Sequence, residues 1–272
     1  MSDMLSHDGT DWLEEAAFLQ REEQLRAWFT QDCEPIQRIV EGLDIGWGGV
    51  QRWATARMPT IEGPHLDIAC GYATFLAQLG WRFPAARLVG LNIDFDGPHA
   101  LARPLLAEAG VAAALVQGDA RLLPFATGTF ESVSCFLGLQ DIEIGFSQEG
   151  MRETVVEAVR VLGADGALVM LDEFPFERFD PLLAGLPLMV IDRAECSLDV
   201  RWSRDVAERA VALYSEGWVV QARIDDESAA ERVRCEVYRE MLENVVRQLA
   251  ENGYYVPFGP VRMVVASKNA AG

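Results

Sequence analysis

The sequence predicts an α/β protein: a doubly wound, mostly parallel seven-stranded sheet with helices on both faces. Three observations predict it. From His65 to Asp172, short apolar runs alternate with helical segments, the pattern of βαβ units. The run HLDIA breaks into a turn, CGYAT, from which a helix departs. Further on, EGMRETVVEAVRVLGADG reads as a helix stopped by glycine and leads straight into the apolar run ALVML.

The elements follow in order. Residues 11–30 place Trp12, Ala16, Leu19, Leu25 and Phe29 at helical spacing among charges, which predicts an amphipathic helix. A second helical stretch over 34–41 gives way to the glycines of GLDIGWGGVQRWATARMP, after which a short helix reaches Pro59. Strands are expected near 65–70, 87–93, 112–117, 130–137 and 166–172, with helices near 73–82, 97–109 and 148–162. After Leu171 the segment DEFPFERFDPLLAGLPLMVIDRAECSLDVRW mixes prolines, acids and apolar residues, and reads as a cap inserted after the fifth strand. Helical patterns over 203–222 and 227–251 precede GYYVPFGPVRMVVASK, which reads as two short strands joined around Gly259 and Pro260. The expected organisation is a helical cover over 1–62, an α/β core over 63–173, the inserted cap over 174–226, and a helix with a strand pair completing the core over 227–272.

Composition narrows the function classes. With 23 Lys and Arg against 42 Asp and Glu, the net charge of −19 repels polyphosphates and anionic lipid surfaces, so neither nucleic acid nor membrane is expected as a partner. Lys268 is the only lysine, which argues against a lysine nucleophile or Schiff base. Cys33, Cys70, Cys135, Cys196 and Cys235 are odd in number, widely spaced and without a CxxC pair, so no disulfide framework and no metal site is expected. The acidic start lacks an apolar leader, and no later run approaches a membrane span, which predicts a cytoplasmic protein. With histidine limited to His7, His65 and His99, a general base is expected to be a carboxylate.

The turn after HLDIA sets backbone N–H groups at a helix N-terminus above the strand ends, where α/β sheets bind ligands. A glycine turn alone is shared by many sites; Asp67, an acid interrupting an apolar strand end, needs a partner. In LDIACGYA, LVGLNID, VQGDARLLPFATGTFESVSC and VVEAVRVLGADGALVML, the chain resembles the class I, Rossmann-like S-adenosylmethionine-dependent methyltransferases over roughly 65–172. The resemblance implies that Asp67, with Gly71 and the backbone of Ala69 and Cys70, holds the methionine end of the cofactor, while Tyr72 either reaches over the cofactor or faces solvent. It also implies that Asn92 or Asp94, beside Ile93, takes the ribose; that Asp119 with Ala120 reads the adenine; and that Phe136 and Leu137 lie beside the sulfonium. Ala69 and Ala73 stand where the family often has glycine, which requires negative φ at both. Asn92 stands where the ribose acid is usual, and Asp94 is the alternative.

In the family the end of the fourth strand borders the acceptor. Here that end offers Gln140, Asp141 and Glu143 as catalytic candidates, with Asp172 and Glu173 at the end of the fifth strand. Phe174, Phe176, Phe179, Leu182, Leu183 and Met189 of the cap are expected either to roof an apolar pocket for a small, partly apolar substrate or to form a dimer interface. The expected activity is methyl transfer to a small molecule. The alternative is a protein that binds S-adenosylmethionine for another reaction or for regulation. A nicotinamide dehydrogenase would need a GxGxxG fingerprint that CGYATF lacks.

Overall fold

The computed structural model describes residues 10–221 and 224–269; His7 lies outside them. Helix α1 (Thr10–Phe29) lays Leu25 and Phe29 against the core and leaves Leu19 exposed. Its Glu22 is buried, accepts a hydrogen bond from Gln78 Nε2 at 2.7 Å and is paired with Arg52. Arg26 donates to the carbonyls of Gly42 at 2.9 Å and Ile45 at 2.8 Å. These bonds tie α1 to α2 (Pro35–Glu41), to the 3₁₀ turn Gly46–Gly49 and to α3 (Val50–Arg57).

The sheet begins with β1 (Pro64–Ile68), followed by α4 (Thr74–Arg82), β2 (Arg87–Asn92), α5 (Ala102–Glu108), β3 (Ala113–Gln117) and β4 (Phe130–Phe136). Next come α6 (Leu139–Val161), β5 (Leu162–Asp172), the short α7 (Asp180–Leu183), β6 (Leu188–Cys196), α8 (Arg204–Gln221), α9 (Glu227–Asn252) and β7 (Val261–Lys268). The strand order is β3-β2-β1-β4-β5-β7-β6, with β1 to β5 parallel and β7 antiparallel to both neighbours. The chain leaves β1 toward opposite edges, so a crevice opens above the β1 and β4 ends. One apolar cluster fills each face of the sheet. Among the described residues no helix is long and apolar enough to cross a membrane.

Three features differ from the expectation. First, α6 starts at Leu139, not near 148, because the Asp172 carboxylate at the end of β5 accepts the Gln140 N–H at 3.1 Å and caps the helix. A break at Ser147, with φ +68, separates this first stretch from the one the sequence predicts. Second, the segment after β5 leaves the sheet through α7 but returns as edge strand β6, whose alternating burial reflects one packed face and one exposed face. Residues 254–258 form only an isolated bridge, Trp202 to Tyr255, so β6 is the seventh strand. Third, Phe174, Phe179 and Leu182 pack into the core against α6 and do not roof a pocket, while Met189 is exposed on β6.

Candidate active site

The turn between β1 and α4 is held in a strained form. Gly71 has φ +50, and so far as sterics go only glycine is at ease there, yet Ala69 (φ +54) and Ala73 (φ +65) share the left-handed region. The expectation of negative φ at these alanines is therefore corrected. The turn closes because Gly138 leaves room: a Cβ there would lie 2.5 Å from Ala69 Cβ. Left-handed alanine costs about 1–2 kcal/mol, and glycine's extra freedom in the unfolded chain returns about 0.4–1 kcal/mol of that. Ala69→Gly with Ala73→Gly should then raise the melting temperature by about 2–4 °C, read by differential scanning calorimetry; a lowered value would contradict the strain.

Asp67 is fully enclosed at the end of β1. Parallel pairing of β1 with β4 sets His65 opposite Ser132 and Asp67 opposite Ser134. Ser134 Oγ donates to Asp67 Oδ1 at 2.6 Å, so its oxygen accepts from His65 Nε2 at 2.9 Å, and His65 Nδ1 accepts from Ser132 Oγ at 2.7 Å. Burial holds His65 neutral, its pKa pushed down to about 3, and raises Asp67 to about 7 despite the Ser134 bond. A buried carboxylate that receives a single hydroxyl hydrogen bond is suited to a cationic partner.

Above β2 and β3 lies a cavity of about 250 Å³ lined by Asn92, Ile93, Asp94, Asp119, Ala120 and Ile142, among others. Asn92 Nδ2 donates to the Asp94 carbonyl at 2.8 Å. The Asp119 carboxylate is clamped by Arg121, whose Nη2 donates at 2.6 Å, and that guanidinium lies 3.8 Å over the Phe146 ring. Toward α8 a second cavity, of about 530 Å³, is walled by Asp67, Ala69, Cys70, Gly71, Tyr72, Phe136 and Leu137 together with α2, the 3₁₀ turn and Tyr214. Ala69, Gly71, His99 and Asp141 line both cavities, so the two meet there.

Among the catalytic candidates, Asp141 is open to solvent within both cavities, and surrounding protein raises its carboxyl to about 6. Gln140 does not line either cavity, and Glu143 is paired with Arg178. Asp172 is buried beneath them, raised to about 7 by burial. The second cavity also brings in Glu41, Asp44 and Gln51, which sequence reasoning passed over because polar residues on short helices and the turn between them resemble a solvated face. Among the described residues no cluster fit to hold a metal occurs.

Asp67 and Asp172 set the sign of a stability prediction. Their folded pKa values, about 7, lie above the unfolded carboxylate value of 3.8, so the folded state binds more protons between those limits. Stability falls as pH rises through that window, by up to about 1.4 kcal/mol per pH unit for each group. The melting temperature at pH 6 should exceed that at pH 8, and Asp172→Asn should shrink the difference; equal values would contradict it.

A family model described as a methyltransferase domain matches residues 66–166. The demethylmenaquinone methyltransferase of Thermus thermophilus is 32% identical over 160 residues, covering 53% of this chain and 68% of that protein. For the demethylmenaquinone methyltransferase of Deinococcus radiodurans, the values are 31% over 144 residues, 52% and 54%, so the match spans about half of each chain. In fold alone, a Haloferax volcanii methyltransferase solved with the Trm112 activator superposes with a TM-score of 0.54 at 17% identity, covering 90% of this chain and 98% of that one.

Proposed function

This chain belongs to the class I S-adenosylmethionine-dependent methyltransferases, and on that premise we propose that it methylates a small molecule bound in the larger cavity, between α2, α3 and α8. One observation carries the reading. Two cavities join at Ala69, Gly71, His99 and Asp141, the smaller fit for a nucleoside and the larger for the methionine end beside Asp67 with an acceptor beyond it.

The residues present fit the cofactor. The uncompensated Asp67 carboxylate suits its ammonium, Asn92 or Asp94 its ribose, and Asp119 with Ala120 its adenine, while Phe136 and Leu137 border the sulfonium side. When bound, S-adenosylmethionine supplies a methyl group carried on a positively charged sulfur. The protein's own part is to fix Asp67 through Ser134 and His65, to exclude water with the Trp47 and Phe258 rings, and to take a proton from the acceptor at the Asp141 carboxylate. A second reading, in which the acceptor is a ring carbon of a demethylmenaquinone-like molecule, is favoured by the names of the two relatives.

Calorimetric titration with S-adenosylmethionine and S-adenosylhomocysteine tests the first half of the reading, with micromolar binding expected. Methyl transfer from isotopically labelled cofactor to a panel of small amines, phenols and quinols tests the second. No binding to folded protein would overturn the proposal; binding with no transfer to any acceptor would favour a non-methylating role.

A further inference from the structure

The larger cavity carries carboxylates and one unsatisfied amide oxygen beside the hydroxyls of Tyr72, Thr74 and Tyr214. Its charged walls are the carboxylates of Glu41, Asp44 and Asp141 beside the amide of Gln51, and among the described residues no lysine or arginine lines it. Gln51 is fully buried, and its Nε2 donates to the Asp44 carbonyl at 3.2 Å and to Thr74 Oγ1 at 2.9 Å. Because the Asp44 carbonyl can only accept, this orientation of the amide is set, and the Gln51 Oε1 acceptor is the atom without a hydrogen-bond partner. A buried acceptor of that kind is satisfied by a ligand bearing N–H or O–H.

The apolar walls carry charge information too. Phe258 lies 4.9 Å from Trp47 and 5.5 Å from Tyr214 between ring centroids, the latter pair edge to face, so π faces and carboxylates bound the same space. Aromatic faces beside carboxylates attract an organic cation, repel an anion, and gain little from a neutral ligand. Burial, reinforced by the charges of Glu41 and Asp141, raises the Asp44 carboxyl to about 7.

We propose that the acceptor enters this chamber as a protonated amine, held by Asp44 and Asp141 against the Trp47, Phe258 and Tyr214 rings, with Gln51 Oε1 accepting one of its N–H groups. The inference rests on the methyl-transfer reading and narrows its substrate class. The ammonium must give up one proton before its nitrogen has a lone pair to offer, and the Asp141 carboxylate, which lines both cavities, is the group that receives it.

The test separates this chamber from the cofactor's own positive charge by working on protein saturated with S-adenosylhomocysteine, which lacks the sulfonium. Benzyltrimethylammonium and its uncharged carbon analogue neopentylbenzene, equal in shape, are titrated while tryptophan fluorescence is followed. The cation should bind at least about 10-fold more tightly, and Asp44→Asn should bring the two within about 3-fold while S-adenosylhomocysteine still binds. Equal binding of the two probes to the wild type, or an advantage for the neutral one, would overturn the proposal whatever the variant does, and would return the quinol-like acceptor to first place. Should Asp44→Asn fail to fold, Gln51→Leu serves, with weaker uptake of benzylamine expected and unchanged uptake overturning the role of Oε1. Failure of S-adenosylhomocysteine to bind the wild type marks the loss of the methyl-transfer reading itself, a result distinct from failure of the probe.

Discussion

Asp67→Ala and Asp67→Asn should each weaken S-adenosylmethionine binding by about 100-fold or more, measured by calorimetry, while the protein stays at least as stable as the wild type. The two halves of this expectation come from the same geometry. In the free protein the carboxylate is enclosed, receives one hydroxyl hydrogen bond and has its pKa raised to about 7, so its charge is a burden on folding. Once an ammonium arrives, that charge becomes one half of a buried pair, and removing one partner of such a pair costs about 2–5 kcal/mol of binding. Affinity for the wild type should also rise from pH 6 to pH 8 as Asp67 ionises, and the asparagine variant should lose that dependence. A variant that binds as the wild type does would show that the ammonium lies elsewhere.

Asp141→Asn should lower kcat by about 100-fold with little change in cofactor affinity, since a positioned general base is worth about 10² to 10⁴ in rate. Its carboxyl must be ionised to accept a proton, and the surrounding protein raises its pKa to about 6 by partial desolvation, so the wild-type rate should climb tenfold per pH unit below 6 and level off above it. Steady-state kinetics across pH 5 to 8 checks both statements. If the variant keeps the rate and the acidic limb, the proton goes to another wall, and Asp44 is the next carboxylate to replace.

The core was legible because its signals are local. Apolar runs and a glycine turn mark β1 to β5 within a few residues, and Asp67 betrays itself as an acid where an apolar strand should continue. What stayed hidden depends on register and on distant contacts. The His65, Ser134 and Asp67 relay exists only because β1 pairs with β4 in one particular alignment. Asp172 caps α6 across 32 positions of chain, so no local pattern marks the helix start. Strand β6 alternates apolar residues with Asp192, Arg193 and Glu195 after a proline-rich stretch, which disguises an edge strand as loop. Likewise Glu41, Asp44 and Gln51 become walls of a chamber only when α1 pins the Gly42–Ile45 segment through Arg26.

That pinning has a structural corollary. The stretch shared with the methyltransferase-domain family, residues 66–166, holds every residue named for the smaller cavity, whereas much of the larger cavity's wall comes from residues 40–51, Tyr214 and Phe258. The two cavities are thus built from separate stretches of the chain. Substitution in the helical overlay should therefore reshape the larger cavity and leave the smaller one intact, provided that the grip of Arg26 and Glu22 on that overlay is preserved.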